Sequence, residues 1–305
     1  MGFNKRLKNH WDEMMSTIKM LDIEERYDLY FSRFFGLFFA KAGRYVSLTP
    51  TQISIISLVI GIIGGGLLYF QDVWKIILVG SFLITVAGVL DSADGQLARM
   101  TNQSSELGRI IDGLIDNFVF VSCYLAGSAF FIDVYGYWIF LLAVMAGVAH
   151  SLKSAIYDFY KSEYLFYGGP YSSAEIPYPE RIKAELDNQM SIVQKLIRLL
   201  YLDYTRRQFW LSTRTVELRE KFKSFAYTDT TKDKFTEKYR ELNFPIMFWW
   251  ALVCGTNTHR GMIMIFSLFG RFDIYLGIAA ITILPMILIN RYQKRLDIKL
   301  EAMFS

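Results

Sequence analysis

The sequence predicts an all-α, polytopic integral membrane protein of six transmembrane helices, with an amino-terminal interfacial helix and a cytoplasmic helical insert. Three observations lead to that class. Of 305 residues, 53% are hydrophobic and only six are proline, a composition that suits a bilayer better than one or two soluble domains. Long apolar runs at 50–70, 74–90, 110–131, 136–150, 244–269 and 274–290 approach the length of a membrane crossing, the fifth interrupted by GTNTHRG at 255–261. The short loops near 71–75, 132–135 and 270–273 contribute only Lys75 and Arg271, whereas the amino-terminal arm, the loop between the second and third runs, the polar stretch after the fourth and the tail RYQKRLDIK carry nearly all other basic residues. The positive-inside rule puts those segments, and both ends of a six-span chain, in the cytoplasm.

Four segments follow in order. Residues 1–45 form a polar, basic arm leading into 23–45, where Tyr27, Tyr30, Phe31, Phe34, Phe35, Phe38 and Phe39 recur at helical spacing among Arg26, Arg33, Lys41 and Arg44, the pattern of a helix lying in the membrane interface. A soluble helix packed on the insert is the plainer alternative. Residues 46–152 hold the first four spans, the first opened by Pro50 in a first helical turn with Thr49 or Ser47 as cap. Gly61, Gly64, Gly65 and Gly66 in that span are packing glycines that admit a neighbouring helix. Residues 153–243 are the insert: a Gly- and Pro-containing loop, YGGPYSSAEIPYPE, then Met190, Val193, Ile197, Leu200 and Tyr204 on one helical face and a helix start near Thr230 and Asp233. Residues 244–305 supply two further spans and the basic tail.

Several functions are disfavoured at once. A net charge of +4 implies no nucleic-acid partner, and three histidines are too few for a His-rich metal site. Cys123 and Cys254 lie in apolar runs without CxxC spacing and read as buried packing residues. The opening MGFNKRLKNHWDEMM carries no apolar signal core and the closing EAMFS no prenylation box, so the spans are expected to be the anchor.

The chemistry concentrates at 91–116, DSADGQLARMTNQSSELGRIIDGLID, where two apolar runs meet. Asp91 and Asp94 are three apart and Asp112 and Asp116 four apart, so each pair projects from one helical face. Carboxylates at the edge of a span are costly without partners, and Arg99 and Arg109 are too few to neutralise Asp91, Asp94, Glu106, Asp112 and Asp116 as a salt-bridge network. Oxygen-only ligands of this kind suit Mg²⁺, Mn²⁺ or Ca²⁺ rather than zinc.

Asp91, Asp94, Gly95, Ala98, Arg99, Gly108, Asp112 and Asp116, at these intervals, resemble the signature of the CDP-alcohol phosphotransferase family, across residues 45–155. The resemblance implies an enzyme that transfers a substituted phosphate from a CDP-linked donor to a hydroxyl acceptor, one of the two a lipid, and releases CMP. It further implies that Asp91, Asp94 and Asp112 hold one or two Mg²⁺ or Mn²⁺ ions against the donor pyrophosphate, with Asp116 as general base and an additional metal contact. Asp94, Gly95, Ala98, Arg99 and Gly108 would form the nucleotide side: Gly95 and Ala98 leave room along the helix, Arg99 offers a fork of donors to a phosphate, and Gly108 lets the motif helices approach. Thr51 and Gln52 resemble the start of the family's first span and are nucleotide candidates as well. The insert of about ninety residues, 153–243, departs from the small members of the family.

Ionisable residues at membrane depth usually face a polar cavity, which makes His259, Arg260 and Lys153 candidates for an acceptor or headgroup phosphate. The plainer readings are an interfacial break between two short helices at 255–261 and, for Lys153 at the end of span four, a snorkelling anchor. His150 is a weaker candidate of the same kind. For the substrate, a phosphatidyl group passing from CDP-diacylglycerol to an inositol- or glycerol-type alcohol, phosphorylated or not, is preferred. A CDP-ethanolamine- or choline-type donor with diacylglycerol or ceramide is the alternative. A cation or solute transporter, the rival class, leaves Gly95, Ala98 and Arg99 unexplained. A homodimer is left open.

Overall fold

The computed structural model describes residues 2–18, 20–103, 106–169, 174–187 and 190–304, and within them the side chains other than those of residues 2–7, 106–107 and 109–114. Helix accounts for 84% of the described residues, and no strand occurs among them. Two compact units result, Met1–Gly147 with Arg260–Ile278 and Val148–His259 with Ala279–Ser305.

The first unit opens with α1 (Gly2–Ser16), a π-helical turn at Asp28–Ser32 and α2 (Arg33–Tyr45). Helix α3 (Pro50–Gly66) starts as its residues require: Thr49 Oγ1 accepts from the Gln52 amide, the Gln52 side chain accepts from the Thr49 amide, and Pro50 sits where no donor is needed. Helix α4 (Trp74–Met100) carries the first half of the acidic motif without a break. It ends where Asn102 takes a left-handed conformation (φ 53°) and the Gln103 amide bonds back to the Ala98 carbonyl at 2.8 Å. Helices α5 (Glu106–Ala129) and α6 (Ile132–Tyr135) follow.

The packing of α3 against α4 is inside-out relative to a soluble protein. Ser54, Ser57, Gly61, Gly64 and Gly65 are buried, while Ile55, Ile56, Val59, Ile62 and Ile63 point outward. The two helices run antiparallel, with Ser57 Oγ donating to the Ala87 carbonyl at 2.8 Å and Gly64 facing Gly80 backbone to backbone. A Cβ on Gly64 would lie 2.9 Å from the Gly80 oxygen, so the glycines expected to admit a neighbouring helix do so here. Gly64→Leu is accordingly expected to destabilise the protein by about 1–3 kcal/mol, read as a lowered thermal unfolding midpoint in detergent; an unchanged midpoint would show that this contact does not hold the pair together.

Helix α2 repeats the inversion. Gly36, Leu37, Ala40 and Gly43 are buried, Ala40 joining Ile53, Leu90, Ala93 and Leu97 in one apolar cluster, whereas Tyr30, Phe35, Phe38, Phe39 and Tyr45 are exposed. Gly36 lies so close to α4 that a Cβ there would stand 3.2 Å from the Val89 oxygen and the Ala93 nitrogen. The aromatic residues of 23–45 therefore form an outer face, and small residues bring this segment onto the motif helix. Helix α1 rests on it through His10 Nε2 and the Phe34 carbonyl, 2.9 Å apart.

Helix α7 (Trp138–Tyr167) runs without interruption past residue 153, so the change of polarity read there as the end of a span falls inside a helix. In the second unit come α8 (Pro179–Ala184), α9 (Ile192–Leu211), α10 (Val216–Tyr227) and α11 (Lys232–Cys254), the last likewise continuous through residue 244. Residues 170–173 of the Gly- and Pro-containing loop lie outside the described residues. The expected apolar face of α9 is not a buried one: Val193 and Leu200 are exposed, and Leu202, Thr205 and Gln208 pack inward instead. Helix α12 (Thr256–Leu268) begins directly after Gly255, α13 (Phe272–Ile281) follows, and α14 (Ile283–Ala302) closes the chain.

Among the described residues, four stretches are long and apolar enough to cross a membrane, Pro50–Tyr69, Trp74–Met100, Trp138–Tyr167 and Phe272–Ala302, and Ile115–Ala129 is a shorter apolar helix. The expected fifth span is divided at Gly255 into α11 and α12. Cys123 and Cys254 are both free and buried, as their apolar settings suggested.

The insert is bound to its own unit by a buried charge network. Arg214, in the loop between α9 and α10, donates to both oxygens of Asp297 on α14 (3.0 and 2.9 Å), to Tyr239 on α11 (2.7 Å) and to Glu163 on α7 (3.4 Å). Arg219 on α10 closes on the other oxygen of Glu163 at 2.8 Å. Burial works against the Arg214 charge, but Asp297 foremost holds its pKa well above the ordinary value.

Candidate functional site

The described aspartates of the motif all belong to the first unit. Asp91 and Asp94 lie one turn apart on α4, Asp91 half-buried and Asp94 only 4% exposed. Asp116 stands on α5, and electrostatic interaction couples it to Asp94. Asp112 precedes Asp116 by one turn on α5, but its side chain lies outside the described residues.

Each described carboxylate has a partner that holds it. Asp94 accepts a short hydrogen bond from Ser54 Oγ, which α3 delivers from one turn beyond Pro50. Asp116 Oδ1 accepts from Arg260 Nη2 at 3.3 Å, an ion pair between side chains 9% and 31% exposed. The Asp91 carboxylate is also among the charges facing Arg260. Arg260, bonded to Asp116 and with Asp91 among its electrostatic neighbours, thus stands with these aspartates in the first unit.

The remaining nucleotide candidates flank this cluster. Gly95 is half-buried, and a Cβ there would meet Arg99 Nη1 at 3.4 Å, so the arginine folds back along its own helix across the glycine at the i, i+4 spacing. Ala98 and Gly108 are half-buried. Thr51 and Gln52 are exposed at the start of α3, where the Gln52 side chain is occupied by the cap on Thr49.

The acceptor candidates separate. Arg260 joins the aspartates, but Lys153 and His259 belong to the second unit. Lys153 is not a snorkelling anchor at a helix end. It is fully buried within α7, its ammonium donating to the Ala279 carbonyl at 3.1 Å and to Thr282 Oγ1 at 2.5 Å, where α13 gives way to α14. His259 is buried with its ring stacked on His150 at 4.1 Å. These contacts give Lys153, His150 and His259 structural partners in the second unit, and Arg260 is bonded to Asp116 in the first.

Sequence reasoning missed Ser54 and Gly88. Ser54 had a readable signal, a hydroxyl within an apolar span four residues after a helix-starting proline, but nothing local says which carboxylate it meets. Gly88 lies one turn before Asp91, and a Cβ there would fall 2.2 Å from Arg260 Nη1, so the guanidinium rests against the bare α4 backbone.

Whether the described residues suit a divalent cation can be judged from the donor set. Asp91, Asp94 and Asp116 supply oxygen donors only, the chemistry that Mg²⁺ and Mn²⁺ prefer. Among the described residues no group of three carboxylates, histidines or thiols is near enough to close a metal site. The fourth carboxylate of the motif, Asp112, is outside that set.

Compared with known proteins, residues 47–168 match the family model described as CDP-alcohol phosphatidyltransferase, which spans α3 to the end of α7 and includes the entire acidic motif. No curated protein and no solved structure matches the chain.

Proposed function

Because residues 47–168 match the CDP-alcohol phosphatidyltransferase family model, we propose that this integral membrane protein transfers the phosphatidyl group of CDP-diacylglycerol to a hydroxyl of a polar alcohol of the inositol or glycerol type, with release of CMP. The observation that carries the choice of acceptor is the Arg260 guanidinium beside Asp116, a buried cation next to the residue assigned to proton removal. An acceptor bearing its own phosphate can bind such a cation through charge-assisted hydrogen bonds.

In the reaction, Asp116 accepts the proton of the acceptor hydroxyl while that oxygen forms a bond to the β-phosphorus of the donor. The bond from that phosphorus to the oxygen of the leaving CMP breaks, and the electron pair departs with CMP. Arg260 donates a hydrogen bond to Asp116, and Ser54 orients Asp94 by donating to it. Asp91, Asp94 and Asp112, with Asp116 as a further ligand, would hold one or two Mg²⁺ or Mn²⁺ ions, whose charge would offset that developing on the donor phosphates. Gly95, Ala98, Arg99 and Gly108 line the nucleotide side, and the basic arm, insert and tail assign this face to the cytoplasm by the positive-inside rule.

Separate incubations with labelled CDP-diacylglycerol plus glycerol 3-phosphate or inositol, and with labelled CDP-ethanolamine plus diacylglycerol, test the reading by which label enters a new lipid. The first is expected to yield product with CMP release. Transfer of the ethanolamine label alone would replace the substrate while keeping the chemistry, and ion flux in vesicles without any CMP release would point to a transporter. Arg260→Ala is expected to weaken use of a phosphorylated acceptor by roughly 10- to 100-fold, and an unphosphorylated one much less. Equal losses would remove Arg260 from the acceptor pocket.

A further inference from the structure

Helix α9 opens with a capping box at Ser191 and Gln194, so its start is fixed by its own residues. From there Ile192, Val193, Leu196, Leu199 and Leu200 recur along one side of the helix and all are exposed, Ile192 by 87%. Leu202, Thr205 and Gln208 are buried on the opposite side. Trp210 extends the outer stripe near the end of the helix, 76% exposed. One acid stands in that stripe, Asp203, and Arg207 neutralises it at 3.0 Å. Lys195 lies one turn from Ile192 and Leu199, and Arg206 one turn from Trp210, both exposed. A soluble surface rarely leaves so long an apolar stripe to water. The contacts of α9 place its carboxyl-terminal end beside two apolar stretches of the same unit. Arg207 Nη1 donates to Ser151 Oγ on α7 at 2.7 Å, and the Leu211 carbonyl accepts from Asn290 Nδ2 on α14 at 2.8 Å. On α7 the outward apolar side chains Val144, Met145 and Val148 end just before Ser151. On α14 the exposed Leu284, Ile287 and Leu288 are followed, after Asn290, by the exposed Arg291, Lys294 and Arg295. Helix α9 therefore joins both helices where their outer surfaces turn from apolar to polar.

We propose that α9 is an interfacial helix that rests on the bilayer. Ile192, Val193, Leu196, Leu199, Leu200 and Trp210 enter the boundary between headgroups and acyl chains, and Lys195 and Arg206 meet the phosphates of anionic lipids. Three features select a lipid surface over a second protein. The stripe adjoins the outward apolar faces of α7 and α14, its tryptophan lies at the end nearest them, and its edge carries exposed cations that anionic headgroups attract. The paired Asp203 limits the depth to the boundary, because a carboxylate is costly in the hydrocarbon core. The assignment depends on the apolar stretches and not on the reaction proposed above.

The test uses the full-length protein in phosphatidylglycerol nanodiscs, with an environment-sensitive fluorophore on Leu196→Cys or, as a water-exposed reference, on Glu217→Cys, the native cysteines being buried. Lipids brominated along the acyl chain are expected to remove at least about half of the emission at 196, because an interfacial helix sits about 5–10 Å into the headgroup boundary, and to leave 217 unchanged. Leu199→Glu/Leu200→Glu in the Leu196→Cys protein should abolish the quenching without lowering the thermal unfolding midpoint, since both side chains are already exposed. Phosphatidylcholine in place of phosphatidylglycerol should reduce the quenching, and Lys195→Gln/Arg206→Gln should remove that difference. Emission at 196 as insensitive to bromine as that at 217 would overturn the proposal. Quenching that survives the two glutamates would be the work of the dye alone and would overturn it as well. A disulfide joining two copies at 196, with no quenching, would assign the face to a second copy of this chain instead.

Discussion

Asp94→Asn is expected to reduce CMP release by about three orders of magnitude, on the scale seen when one preorganised charge-stabilising group is lost. Asp94 is the most deeply buried described carboxylate of the motif and is held by Ser54 from the facing helix. Asparagine keeps its shape and can still pair with the hydroxyl, so α3 and α4 should stay packed. What is lost is the negative charge that the proposed divalent cation would need. Ser54→Ala is the companion measurement: it removes orientation but not charge and should cost only about tenfold. Turnover at saturating donor and acceptor, with the cation varied, decides the matter. Activity in Asp94→Asn within a few-fold of wild type would end the assignment of this carboxylate as a ligand.

The largest expected effect on stability is at Arg214. Replacing it by methionine keeps the volume but strands the almost fully buried Asp297 without its cation and leaves the buried Glu163 with Arg219 alone. Removal of one member of a buried ion pair typically destabilises by about 3–5 kcal/mol, because the remaining charge has neither water nor partner. The thermal midpoint in detergent should fall by several degrees, and a compensating Asp297→Asn in the same chain should restore part of the loss. If Arg214→Met melts like the wild type, the network does not bind the insert to α7, α11 and α14.

These two sites differ in how far the sequence disclosed them. Asp91, Asp94, Asp112 and Asp116 were legible because helical periodicity and the cost of burying charge are properties of short segments, and four carboxylates where two apolar runs meet demand a common explanation. The start of α3 at Thr49 and Pro50 was legible for the same reason, since a cap is made by residues three apart. The insert was not. Its polarity located it between 153 and 243, but α7 and α11 run through those limits, because a helix continues wherever its backbone bonds are satisfied and a change in side-chain polarity does not stop it. Lys153 misled for a related reason: a lysine at the edge of an apolar run is usually solvated, and here a helix-end carbonyl and a threonine replace the water.

The sequence by itself determined the helical class and the one-turn spacing of Asp91 with Asp94 on α4 and of Asp112 with Asp116 on α5, which follow from periodicity within a few turns of chain. Only the tertiary structure decided which groups meet those aspartates. Ser54 reaches Asp94 across 40 residues, Arg260 reaches Asp116 across 144, and Gly88 matters only because the guanidinium lies where it does. Such pairings depend on how closely glycine-faced helices can approach one another, which is a property of their packed surfaces and not of any one segment.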